Sequence, residues 1–269
     1  MELKIASIGS SSSGNSYLVS NEKTKLLLDV GLSAKKIKAG LSECGVKSEE
    51  IQAIFITHEH VDHVKSIRAM AKACNEAKVF ATRGTVQECE RFQYIPKDRL
   101  QFISAQDKVT IGDIDIKAFA LSHDAAEPVG FSFSDETRNM TVATDTGIVT
   151  DEIYDEIVQA DKLILEANHE KHILEMGPYP YSVKRRILSN HGHLSNVATG
   201  ITLARELSVR KSKYGTKGKQ KILLAHLSSQ NNTPTQARLT IGNILEDNEL
   251  RNGQEFYLNV AAKEMLTTL

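Results

Sequence analysis

The stretch Thr57-His58-Glu59-His60-Val61-Asp62-His63 is the most informative part of this 269-residue chain. It places three histidines and Asp62 directly after the apolar residues 53–56. Imidazole and carboxylate are the ligands that zinc and neighbouring transition metals prefer. At the end of a buried strand such groups would repel one another or lack partners, unless a cation lay between them. The stretch therefore predicts a metal site.

The same stretch begins like the H-E-x-x-H helix of zinc proteases, in which two histidines one turn apart face one metal. Position 62 is an aspartate, however, and the helical spacing of apolar residues starts only at Val64. We therefore expect the ligands to lie on a loop between a strand and a helix. The protease interpretation is excluded.

Composition bounds the class of protein. The chain is 41% hydrophobic and 25% charged, with a net charge of −1 and three well-separated cysteines. These values are typical of a globular protein with reduced thiols. Neither a secretion signal nor a membrane-spanning stretch is recognisable. We expect a cytoplasmic protein with no membrane association and no obligate protein partner. The absence of an overall positive charge weakens a nuclease interpretation without excluding it.

Short apolar runs end repeatedly on a residue that can bind a metal or orient a ligand. Loops at one end of a rigid sheet are where functional residues are usually displayed. We therefore expect these strand ends to meet at one site. The residues are Asp29, His58, His123, Asp145 and His226.

Helix signals lie between these runs, and their order favours two sheets with helices outside them in a single domain, residues 1–269. Antiparallel strands are expected within 108–134 and a surface loop at 211–220. The predicted helices are 34–44 after Ser33, 196–207 after Ser195, and one from Thr233-Pro234 towards Glu246.

The order of these residues along the chain resembles the metallo-β-lactamase superfamily. The resemblance implies an α/β (α+β) fold, a four-layer αββα sandwich, with two divalent metal ions, zinc or manganese. It implies that Asp145 bridges both ions and that Asp29 orients a ligand imidazole, although Asp29 could simply stabilise a turn. The implied ligands are His58, His60 and His123 for one ion, and Asp62, His63 and His226 for the other.

A second motif, Gly192-His193-Leu194-Ser195-Asn196, bears on the substrate. It resembles the late histidine motif of phosphodiesterases and of the tRNA-processing RNase Z group, in which a non-ligand histidine protonates the leaving oxygen. His193 and Asp62 are thus the expected catalytic residues, with Ser195 as a helix cap or phosphate contact. The alternative is that His193 merely precedes a capped helix.

Further segments resemble the WalJ/YycJ group of double-stranded DNA exonucleases, which implies a 5′-to-3′ exonuclease with nucleic acid, DNA rather than RNA, as substrate. They are the serine-rich stretch 9–16, Glu166-Ala167-Asn168-His169-Glu170, 179–181 and 192–196. Ala167 and Glu170 depart from the expected Ser and Asp. Substrate contacts are expected from Ser13, Asn15, Asn168 and His169, although the first pair could form a turn and the second a cap.

Two other functions stay open. The first is a small-molecule hydrolase on the same fold, either a cyclic or short phosphodiesterase or a glyoxalase-II-like thioesterase. The second is a non-catalytic scaffold. Basic residues at 184–186 and 205–221 favour phosphate contacts only weakly, because they could equally form a solvated surface.

Overall fold

The computed structural model describes residues 2–214, 219–263 and 265–269. Its contacts divide the chain into two compact units. The first comprises Met1–Ala120, Ala125–Arg138 and Ala262–Leu269; the second comprises Leu121–Asp124 and Asn139–Ala261. The expectation of one domain stays a prediction.

The first unit contains a seven-stranded sheet. Its strands are β1 (Lys4–Ser11), β2 (Gly14–Ser20), β3 (Lys25–Leu28), β4 (Ala53–Phe55), β5 (Lys78–Ala81) and β6 (Leu100–Phe102), with β14 (Thr267–Thr268) beside β1. The hairpin β1–β2–β3 is antiparallel, whereas β3 to β6 run parallel. The carboxyl ends of β3 and β4 therefore share one sheet edge, where Asp29 and His58 follow.

Four helices belong to this unit: α1 (Ala34–Glu43), α2 (Val61–Val64), α3 (Ile67–Ala73) and α4 (Arg83–Glu88). The predicted helix 34–44 is confirmed to within one residue, and the Ser33 side chain accepts a hydrogen bond from the Lys36 amide. Aliphatic residues of β1 to β5 pack with α1 and α3 in a continuous apolar core. Gly40 of α1 lies directly against the Ile8 side chain.

Three further strands of the first unit form the expected antiparallel meander. They are β7 (Lys108–Ile111), β8 (Ile114–Ala120) and β9 (Val129–Ser134). Phe131 of β9 makes an edge-on contact with Phe55, at 5.3 Å between ring centroids.

The second unit is built on four parallel strands: β10 (Asn139–Ala143), β11 (Lys162–Glu166), β12 (Gln220–Ala225) and β13 (Phe256–Val260). Its helices are α5 (Asp151–Gln159), α6 (Lys171–Met176), α7 (Tyr181–Ile187), α8 (Asn196–Tyr214) and α9 (Pro234–Asp247). Strand β11 is buried throughout, as expected for a parallel strand covered on both faces. Asp145 and His226 follow the carboxyl ends of β10 and β12, at one sheet edge.

Two details of the sequence prediction are wrong. Asp62 and His63 lie within the short helix α2, not on a loop, because the His60 carbonyl accepts hydrogen bonds from the His63 and Val64 amides. Helix α8 extends to Tyr214, into the polar stretch expected to be a loop; residues 215–218 of that stretch lie outside the described residues. None of the helices in the described ranges has the length and apolar character needed to cross a membrane.

Candidate metal centre

The first unit brings four of the predicted ligands together after β4. His58 is buried, and its Nε2 atom lies 3.1 Å from Nδ1 of His60. The His58 and His63 ring centroids are 4.2 Å apart. His63 Nε2 lies 3.5 Å from an Asp62 carboxylate oxygen. Imidazole nitrogens and a carboxylate thus crowd one short segment.

Asp29 organises this group from the neighbouring strand. Its fully buried carboxylate accepts a hydrogen bond from His63 Nδ1 at 2.7 Å and others from the Thr57 amide and hydroxyl. The Thr57 oxygen lies 3.0 Å from His58 Nδ1. Because the hydroxyl proton goes to Asp29, this oxygen accepts the His58 Nδ1 proton. Both imidazoles are thereby fixed with Nε2 unprotonated, which supports the expected orienting role of Asp29.

Asn15, an expected substrate contact, is instead fully buried beside His63. Its side-chain amide donates to the Ser11 carbonyl and lies 3.2 Å from His63 Nε2, while its oxygen accepts from Ser10 Oγ. Ser13 is exposed on the turn between β1 and β2. The structure thus gives Asn15 a contact with a predicted ligand and leaves Ser13 accessible.

The second unit gathers the remaining ligands around Asp145. His226 Nε2 lies 3.3 Å from Asp145 Oδ1, and His123 Nε2 lies 3.8 Å from the same oxygen. The Nδ1 atom of His123 is 3.0 Å from the Gly192 carbonyl, to which it donates. All three side chains are at least 95% buried.

Glu166 is a functional residue that the sequence analysis did not identify. It ends β11 and is fully buried, and its Oε1 accepts from His193 Nδ1 at 2.7 Å and from His226 Nδ1 at 2.9 Å. Its Oε2 accepts from the Thr146 and Leu194 amides. The signal was available, because Glu166 ends an apolar strand in the same way as the residues that were recognised.

The charges of this cluster depend on one another. Burial opposes ionisation of Glu166, but the His193 and His226 imidazoles outweigh it and lower the pKa of the carboxyl. Burial alone would lower the pKa of His193, whereas the Glu166 charge and hydrogen bond, with the Asp145 charge, raise it overall. His193 is therefore oriented through Nδ1 and holds a proton more firmly than an ordinary histidine.

The other predicted contacts of this unit have mainly structural partners. Asn168 donates to the His226 carbonyl, and Ser195 Oγ accepts from the Ala198 amide, which confirms that Ser195 caps α8. His169 is buried, and neither ring nitrogen has a hydrogen-bond partner among the described residues. Burial lowers its pKa to about 4.

Most of the basic residues near α8 are engaged within the protein. Arg210 is buried and lies 3.6 Å from Glu206, and Arg205 stacks on the Tyr154 ring. Lys211 pairs with Glu255. Lys217, also part of this basic run, lies outside the described residues. These contacts favour the structural interpretation of the run.

Three of the site residues have a left-handed backbone. The φ angles of Asp29, Asp145 and His226 are 57°, 63° and 56°. Residues other than glycine rarely adopt this conformation, which costs roughly 1–3 kcal/mol and persists where the surroundings require it. All three follow the carboxyl end of a strand, so the turn aims each side chain away from the sheet.

The donor set fits divalent metals. Four histidines donate an Nδ1 proton to a buried acceptor and thereby present an unprotonated Nε2, the arrangement that fixes metal-binding imidazoles. They are His58, His63, His123 and His226. Within the second unit, ligand atoms of Asp145, Glu166, His193 and His226 all lie within 4.8 Å of one another. This chemistry does not distinguish zinc from manganese.

The chain belongs to the metallo-β-lactamase superfamily, since residues 24–214 match the beta-lactamase superfamily domain. The crystal structure of YhfI, a metallo-β-lactamase fold protein from Bacillus subtilis, matches with a TM-score of 0.70 and 16% identity over 99% of each chain. The predicted fold class, an α+β sandwich of two mixed sheets with helices, and the predicted enzyme class, a hydrolase, are confirmed.

Two curated relatives are similar over nearly their full length. Exodeoxyribonuclease YycJ of Bacillus anthracis is 34% identical over 270 residues, covering 100% of this chain and 99% of the relative. Exodeoxyribonuclease WalJ of Streptococcus pneumoniae is 36% identical over 269 residues, covering 99% and 97%. The resemblance to the WalJ/YycJ group is thereby confirmed, and the nuclease prediction is supported.

Proposed function

We propose that this protein is a cytoplasmic, two-metal phosphodiester hydrolase that degrades double-stranded DNA in the 5′-to-3′ direction. The full-length similarity to two exodeoxyribonucleases carries this proposal. The proposed ligands of the two zinc or manganese ions remain those that the resemblance implied. They are His58, His60 and His123 for one ion, Asp62, His63 and His226 for the other, and Asp145 for both.

The residues around these ligands have separable tasks. When bound, a pair of divalent metals lowers the pKa of water and neutralises charge on phosphate oxygens. Asp29 and Glu166 hold ligand imidazoles in the required tautomer. His193 donates its Nδ1 proton to Glu166, which leaves the proton on Nε2 for transfer to the departing 3′ oxygen.

The direct test is digestion of duplex DNA labelled separately at each 5′ and 3′ end, with zinc and then with manganese. We expect metal-dependent release of nucleotides from the 5′ end, abolished by chelation. An RNA duplex of the same sequence is the matched substrate control, and we expect it to be degraded more slowly.

The two other functions give different results. A small-molecule hydrolase would prefer bis(p-nitrophenyl) phosphate or a thioester over duplex DNA, and that preference would refute the nuclease proposal. A non-catalytic scaffold would purify without bound metal and would not gain activity when metal is added.

A further inference from the structure

A cavity of about 270 Å³ lies behind the metal-ligand segment of the first unit. We call it the lysine pocket. Three lysines line it, and none of the described residues around it is acidic. Its polar lining consists of Ser11, Ser13, Ser33, Lys36, Lys65 and Lys263.

The amino end of helix α1 adds to this positive charge. The first turn of α1 contains no acidic residue, and Lys36 lies in that turn. A helix amino terminus carries roughly half a positive charge and favours anions, so a lysine placed there is electrostatically unfavourable by itself. The three ammonium groups and the helix end therefore favour an anion between them.

The pocket also supplies neutral donors. The Ser11 and Ser13 hydroxyl oxygens are 3.0 Å apart, and the Ser13 amide donates to Ser11 Oγ. Ser13 is exposed, so its hydroxyl can turn towards a ligand. A set of hydroxyl and ammonium donors without carboxylates suits the oxygens of a phosphate group. The volume is several times the roughly 30 Å³ that a water molecule occupies, which leaves room for such a group.

The pocket wall is fixed to the segment that carries two predicted ligands. A Cβ atom at Gly31 would lie 1.5 Å from the Asp62 carbonyl oxygen, so only glycine allows this approach. The Val30 amide donates to the His63 carbonyl, and Ser66 Oγ donates to the Leu32 carbonyl. A phosphate in the pocket would thus be held at a set position relative to Asp62 and His63.

We propose that the lysine pocket binds a phosphate group of the DNA substrate, separate from the phosphate that is cleaved. The inference rests on the proposed function. Two sources offer the same chemistry: the 5′-terminal phosphate and an internal phosphate of the strand. The pocket positions the strand relative to the metal-ligand segment.

The test is binding of a phosphorothioate duplex, which resists hydrolysis, to the metal-loaded full-length protein, measured by fluorescence anisotropy between 50 and 200 mM salt. The duplex carries either a 5′-phosphate or a 5′-hydroxyl. The variant is Lys36→Ala with Lys65→Ala. The control is Lys35→Ala with Lys38→Ala, two exposed α1 lysines that do not line the cavity.

We expect the pocket variant to bind about 10-fold or more weakly than wild type and to lower the salt slope by about one. Weakening confined to the 5′-phosphate duplex identifies a terminal phosphate, and equal weakening on both identifies an internal one. The inference is overturned if the pocket variant matches the control, or if wild type binds neither duplex.

Turnover of bis(p-nitrophenyl) phosphate separates binding from indirect effects. We expect the pocket variant to keep wild-type turnover of this small substrate, because it does not reach the pocket. An equal loss would mean that the lysines act through Asp62 and His63, which overturns the inference. Wild-type protein that binds duplex DNA but does not cleave it would refute the proposed function while the binding comparison still decides the role of the pocket.

Discussion

Replacement of Glu166 by glutamine probes how the imidazoles of the second unit are held. The buried carboxylate accepts four hydrogen bonds, two from His193 and His226 and two from backbone amides. A glutamine side chain keeps one oxygen and turns an NH₂ group towards the other pair of donors. Two buried donors then lack an acceptor, at about 1–3 kcal/mol each, so unfolding should become easier by about 2–6 kcal/mol.

The same change should weaken metal binding. Partners that orient metal-bound imidazoles contribute about 10- to 100-fold to metal affinity. We therefore expect Glu166→Gln to fold, because single domains are stable by about 5–15 kcal/mol, but to bind zinc and manganese at least 10-fold more weakly. Chemical denaturation measures the first effect, and titration of the metal-free protein measures the second.

Glu170→Gln is the matched control. The Glu170 carboxylate is also buried in part and accepts hydrogen bonds from Thr240 and Asn196, but from no imidazole among the described residues. It should lose stability without losing metal affinity. Equal metal affinity in Glu166→Gln and wild type, or equal losses in both variants, would refute the orienting role of Glu166.

Three other perturbations have definite expected outcomes. Gly31→Ala should destabilise the protein by about 3 kcal/mol and lower its metal content, because the new methyl group would overlap the Asp62 backbone; thermal melts and metal analysis measure this. His193→Ala should keep its metal and cleave duplex DNA about 10²–10⁴-fold more slowly, measured by single-turnover digestion. Between pH 4.5 and 8 the Glu206 carboxyl, whose pKa burial raises to about 8, binds more protons folded than unfolded, so stability should fall as pH rises.

Each of these has its own control. Gly242 in α9 has open space around it, so Gly242→Ala should leave stability unchanged or raise it by up to about 1 kcal/mol. Loss of metal in His193→Ala would contradict its role as a proton donor. Glu206→Gln should lack the decline of roughly 1.4 kcal/mol per pH unit, and a decline as steep as that of wild type would exclude Glu206 as its source.

The strand-end pattern was enough to predict most of the site. Parallel strands place their carboxyl ends at one sheet edge, so Asp29 with His58, and Asp145 with His226, could be grouped before any coordinates existed. Glu166 follows the same rule but was treated only as part of a longer motif. The rule identifies residues at the edge and does not say which one will ligate and which will hold a ligand.

Partners that come from distant parts of the chain were less accessible. Asn15 is 48 residues from His63, and their contact depends on how the β1–β2 turn packs, which local patterns do not encode. Helix α8 continues through a polar stretch because Lys211 is held by the Glu249 carbonyl and by Glu255. In both cases tertiary contacts decided what local composition left open.

The left-handed conformations of Asp29, Asp145 and His226 bear on attempts to make this protein more robust. Glycine or asparagine would relax the backbone at each position, so a screen that rewards heat resistance alone should be drawn to them. Every such gain would remove a side chain on which the chemistry depends. Thermal robustness and turnover are thus set against each other at the same three peptide units.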